Sequence, residues 1–116
     1  MSYRNLLVWQ KAMLLVNKVY KSMEGFPEEE LLVLTAQLRK SVISIPKSIA
    51  KDNAKQNRNG KSIHSSSTLS ALFELQTLLE IALGLNYFRK EIFDNLYEDT
   101  REIEKLLKRS ALKHVL

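Results

Sequence analysis

Two histidines, His64 and His114, stand fifty residues apart, and neither belongs to a Glu-x-x-His pair. The di-iron sites that helical bundles host need such a pair on each of two helices, so these residues do not form that centre. The sequence has no cysteine, which removes thiol nucleophiles, thiolate metal sites and disulfides. Glu98 and Glu102 lie one helical turn apart, as paired catalytic carboxylates would. Arg101 and Lys105 are interleaved with them, and a solvated, salt-bridged helix face accounts for the pattern better than an acid–base pair. There is no glycine-rich phosphate loop, no His-Glu-x-x-His and no nucleophile elbow. The chain reads as non-enzymatic, with no cofactor and no metal.

The chemistry that remains is positive charge. The chain carries a net charge of +5. Between positions 39 and 61 stand Arg39, Lys40, Lys47, Lys51, Lys55, Arg58 and Lys61, opposed only by Asp52. The rest of the chain holds 11 basic and 12 acidic residues, so the whole excess lies in this one stretch. At 100° per residue, Lys40, Lys47, Lys51, Lys55 and Arg58 fall within an arc of about 80° on a continuous helix. Leu38, Val42, Ile45 and Ile49 take the opposite side. Such a ridge is either a solubilising surface or an electrostatic surface for nucleic-acid phosphates. Base-reading patterns of Asn, Gln and Arg are not visible, so the second reading implies backbone contacts in RNA or DNA.

Two smaller groups have the right chemistry for nucleic acid and duller uses. Ser62, Ser65, Ser66, Ser67 and Thr68 could offer hydroxyls to phosphate, but capping the third helix and fraying its first turn is favoured. Tyr87 and Phe88 beside Arg89 and Lys90 could stack bases, but plugging the bundle end where two helices meet is favoured.

Four helices must position these residues. The first shows Leu6, Trp9, Met13, Val16, Tyr20 and Met23 at alternating spacings of three and four, the period of an inward helix face. Gly25-Phe26-Pro27 ends it, with Gly25 expected at the left-handed stop and Pro27 in the first turn of the next helix. Glu28, Glu29 and Glu30 match the dipole at that new amino end. The second helix turns Leu31, Leu34, Leu38, Val42, Ile45 and Ile49 inward. Pro46 is expected to kink it without stopping it, because the stripe continues in phase. Asp52-Asn53 begins a polar exit, and Asn57-Arg58-Asn59-Gly60 reads as a loop. The third helix, Leu69 to Leu85, is apolar over more than half its circumference. It is either the most buried helix or one facing both its own bundle and a neighbouring subunit. Asn86 suits a left-handed carboxyl cap. The fourth stripe is Ile92, Leu96, Ile103, Leu106 or Leu107, and Leu112. The fold class is all-α, an up-down-up-down four-helix bundle formed by one domain over residues 1–116. No apolar run approaches a membrane span. The amino terminus lacks a signal-peptide core, which makes a soluble, cytoplasmic protein the expectation.

The stretch Leu34-Thr35-Ala36-Gln37-Leu38-Arg39 with Ser44-Ile45-Pro46-x-x-Ile49-Ala50 resembles a known signature, L-T-x-Q-L-R followed by S-I-P-x-N-I-A-E-G. Leu6-x-Val8-Trp9-Gln10-Lys11-Ala12, Phe26-Pro27 and Leu72-Phe73-Glu74-Leu75-Gln76-Thr77 match as well. The signature belongs to the four-helix-bundle family encoded in intervening sequences of bacterial large-subunit ribosomal RNA genes, related to the accessory variability determinant of diversity-generating retroelements. The resemblance covers nearly the whole chain. It implies a ring-like homopentamer and, for the retroelement members, a basic surface that binds nucleic acid and a reverse transcriptase. Ser41 departs from the usual small apolar residue, Ser48 from Asn, and Lys51-Asp52 from Glu-Gly. The early third helix usually carries aromatic and aliphatic residues where Lys61, His64 and Ser65 stand here.

The expected function is a homo-oligomeric, non-enzymatic accessory protein that binds nucleic-acid backbone through Arg39, Lys40, Lys47, Lys51, Lys55, Arg58 and Lys61. The alternative is a protein-binding scaffold or adaptor whose charge serves solubility alone.

Overall fold

Four amphipathic segments become four α-helices in the computed structural model, which describes residues 2–59 and 66–115. They are α1 (Leu7–Ser22), α2 (Leu34–Asn59), α3 (Ser66–Gly84) and α4 (Lys90–Val115), with short 3₁₀ turns at Tyr3–Asn5 and Glu28–Glu30. No strand occurs among the described residues. Each helix packs on two others: α1 on α2 and α4, α3 on α2 and α4. The result is an elongated all-α bundle, 46 × 23 × 21 Å, around one core.

The inner face of α2 is as the periodicity requires, with Leu38, Val42, Ile45 and Ile49 fully buried. The helix runs uninterrupted through Pro46 to Asn59, so Asn57, Arg58 and Asn59 are helical where the sequence suggested a loop. Its amino end also differs. Glu28–Glu30 form their own 3₁₀ turn, and Leu31 stays exposed ahead of the first turn of α2. The three glutamates therefore lie outside the helix whose dipole they were expected to match.

The first helix corrects the sequence more deeply. Its core residues are Val8, Ala12, Leu15, Val19 and Met23, while Met13 is 41% exposed and Tyr20 38%. Trp9 and Val16 are only partly covered. This helix is apolar on two sides, so two stripes satisfy the helical period and periodicity alone cannot rank them. The stripe rich in aliphatic and small side chains faces the core, and the one bearing Trp9, Met13 and Tyr20 flanks it. The helix also ends without a left-handed glycine. Its last amides tighten into three-residue bonds, Glu24 N to Lys21 O at 3.3 Å and Phe26 N to Met23 O at 3.0 Å.

A left-handed cap does close α3, at Asn86 with φ of 63°. Tyr87 N donates to Ala82 O at 2.9 Å and Asn86 N to Leu83 O at 2.9 Å, the paired bonds of a Schellman motif. The chain then delivers Tyr87 and Phe88 onto Phe26, with ring centroids 5.3 and 5.0 Å away. Phe88 is buried and the Tyr87 hydroxyl donates to Glu30 at 2.8 Å. These rings plug the bundle end and are not presented for stacking on bases. On α4, Thr100 fills the gap between Leu96 and Ile103 and accepts from Gln76 on α3 at 3.1 Å.

Candidate nucleic-acid interface

Because α2 is one continuous helix, its lysines keep a common phase. Lys40, Lys47, Lys51 and Lys55 are all exposed, on the side opposite Val42 and Ile49. Fifteen residues at 1.5 Å each set a ridge of about 22 Å. Arg58 continues that phase on the helical backbone, its side chain lying outside the described residues, as does Lys61 altogether. The serines at 62 and 65 and His64 also fall outside the described residues, and of His114 only the place on α4 is described.

The ridge lysines have no carboxylate partner among the described residues, whereas four cations of α1 and α4 do. Lys11 pairs with Glu102 at 2.7 Å and Lys18 pairs with Asp99, both joining α1 to α4. Lys90 pairs with Asp94 at 2.8 Å, and Lys108 with Glu104 at 2.7 Å. Glu102 thus finds its cation on α1 and not in the interleaved Arg101 or Lys105. The bond from Lys108, with help from Gln76, holds the Glu104 carboxyl below its usual range. No group of His, Asp and Glu suited to a metal ion occurs among the described residues.

Asp52, the one acid of the basic segment, is turned away from the ridge. It is 5% exposed and accepts from the Thr68 hydroxyl of α3 at 2.8 Å. Thr68 is itself fully buried, so it is an interhelical tie where the sequence suggested a frayed cap. The outer face of α2 from Lys40 to Lys55 consequently presents no carboxylate. Arg39 stands apart from the ridge. It is half-buried, its guanidinium lies 5.5 Å over the Tyr20 ring, and its Nε has no protein partner.

Between α1 and α2 runs a groove of about 340 Å³, lined by Trp9, Met13 and Val16 on one side and Ile43, Pro46 and Ala50 on the other. Tyr3 and Lys47 complete its lining, so the groove opens beside the ridge. Sequence reasoning found these α1 residues and assigned them to the core. The signal it lacked was which of two apolar stripes the neighbouring helices cover.

Residues 4–109 match the family described as 23S rRNA-intervening sequence protein. The chain belongs to that family. The match covers α1, the whole of α2 with its ridge, α3 and most of α4. No curated protein matches the chain. The chain's membership is compatible with an accessory, non-catalytic role. No helix among its described residues is long and apolar enough to cross a membrane.

Proposed function

We propose that this protein is a non-enzymatic, homo-oligomeric accessory factor of the cytoplasm that binds nucleic-acid backbone through the outer face of α2. The observation that carries this reading is the common exposed face of Lys40, Lys47, Lys51 and Lys55, which holds no carboxylate, while Lys11 and Lys18 of α1 and Lys90 and Lys108 of α4 are matched to acids. Fixed cations in a row gain affinity for a polyanion by releasing its condensed counterions. Ordinary solubilising lysines gain nothing from having the neighbouring acid buried.

The test is binding of labelled structured RNA and duplex DNA, followed by anisotropy from about 50 to 200 mM salt. Four phosphate contacts per chain give a slope of log K against log salt of about −3 to −4 on duplex. The Lys47→Glu, Lys51→Glu, Lys55→Glu triple variant, checked by circular dichroism for its helices, loses that binding. No binding at low salt would sink the reading.

A second reading is favoured by the outer edge of α3, where Phe73, Ile81 and Leu85 are each more than two-fifths exposed. Exposed apolar patches mark partners. A second copy is the occupant the homo-oligomer reading calls for, and a protein such as a reverse transcriptase is the occupant of the adaptor reading. A Phe73→Ser, Ile81→Ser variant distinguishes them by sedimentation: it separates the copies in the first case and leaves them assembled in the second.

A further inference from the structure

We propose that the groove between α1 and α2 is a stacking pocket for an unpaired nucleobase, so that the preferred ligand is a single strand or an open loop whose phosphates lie on the lysine ridge. This rests on the ridge being a phosphate-binding surface and adds what kind of strand it takes.

Three features select this occupant. The groove lining contains two aromatic rings, Tyr3 and Trp9, in edge contact at 5.3 Å, and no carboxylate. Aromatic faces accept any base by stacking, which tolerates sequence and agrees with a surface that lacks base-reading side chains. Met13 adds a soft, polarisable sulfur that adapts to flat rings. Cations border the rings: Lys47 lines the groove as well as belonging to the ridge, and the Arg4 guanidinium lies 4.8 Å over the Tyr3 ring. An aliphatic groove would carry no such preference for an anionic, aromatic ligand. The volume, about 340 Å³, lies near the lower bound of small-ligand pockets, which suits one nucleotide unit. A duplex keeps its bases inside the stack and cannot fill the groove, though it can still touch the lysines.

Trp9 is the single tryptophan, so its fluorescence reports on the groove alone. The probes are a short oligothymidylate, an abasic strand with the same number of phosphates, and a duplex of the same length, each titrated at low salt. Oligothymidylate is expected to quench Trp9 and to bind about five- to a hundred-fold tighter than the abasic strand, the range of one stacked base. Ala50→Leu, which fills the groove with one larger aliphatic side chain, brings that ratio near one and leaves abasic binding unchanged. Equal binding of all three probes without quenching overturns the pocket and keeps the ridge. Failure of every probe to bind overturns both. If Ala50→Leu instead dissociates the oligomer while the base-dependent ratio persists, the groove belongs to a second copy and the proposal is wrong.

Discussion

The Thr68 hydroxyl of α3 donates to the Asp52 carboxylate of α2 at 2.8 Å, with both residues buried sixteen positions apart in sequence. This tie joins α2 to α3 at the rotation of α2 about its own axis that the buried face of Leu38, Val42, Ile45 and Ile49 also sets. The same rotation that turns Asp52 inward turns Lys51 and Lys55 outward. A carboxylate acceptor makes the bond stronger than one between neutral groups. Thr68→Val should therefore cost about 1.5–3 kcal/mol, read as a lower urea midpoint. Nucleic-acid affinity of the folded fraction should not change, since no ridge lysine is touched.

The two stripes of α1 make opposite demands on stability. Val19 is fully buried and Met13 is 41% exposed, although the plain period favours Met13. Val19→Ala should lose about 1.5–3 kcal/mol from transfer and cavity terms, while Met13→Ala should change stability by less than about 1 kcal/mol. Chemical denaturation of the two variants side by side checks this. Equal losses would return Met13 to the core.

Ser41 is buried on α2 and its hydroxyl has no hydrogen-bond partner in the protein. A buried donor left unmet costs free energy that an apolar side chain of similar size avoids. Ser41→Ala should raise stability by about 0.5–1.5 kcal/mol, seen as a higher melting temperature. An unchanged or lower melting temperature would mean the hydroxyl is satisfied in solution.

The bundle end carries a pH dependence of definite sign. The hydrogen bond to Glu30, then burial and the nearby charges of Glu30 and Glu29, raise the Tyr87 phenol above its ordinary 10.0. A raised folded value means the protonated phenol is the form the fold prefers. Its contribution is complete below the unfolded value and is lost as pH climbs through the folded one. Ultraviolet titration of phenolate should thus show Tyr87 ionising above the ordinary value. Glu30→Gln should bring it down, and Tyr87→Phe should remove that share of the alkaline loss of stability.

Much of this molecule is legible from residue order. The inner faces of α2 and α4, the Asn86 cap and the aromatic plug follow from local pattern because each rests on spacing or on one residue's backbone preference. What eluded the sequence depends on contacts between distant segments. Asp52 and Thr68 look like surface polar residues until α2 and α3 are side by side. Trp9 and Val19 compete for the core on equal terms until α2 and α4 cover one of them. Lysine exposure and the scarcity of acids along the ridge were foreseeable from the sequence, but the ties of Lys11 and Lys18 to Glu102 and Asp99 were not, because those acids reach α1 from the far end of the chain. Leu31 and the preceding glutamates were misplaced because a 3₁₀ turn and a helix start share the same residue types.

The uneven pairing of cations also has a kinetic side. Charges matched at close range cancel beyond a few ångströms, whereas those of Lys40, Lys47, Lys51 and Lys55 extend about a Debye length into solution, roughly 10 Å at 0.1 M salt. The bundle is therefore a rod with a transverse electric moment, positive along about 22 Å of one flank of its 46 Å length. A polyanion diffusing nearby exerts a torque on it before any contact forms, so collisions become biased toward the lysine-bearing flank. Dilute salt should then accelerate association itself, with encounter rates set by the field of four side chains and not by the shape of what they finally touch.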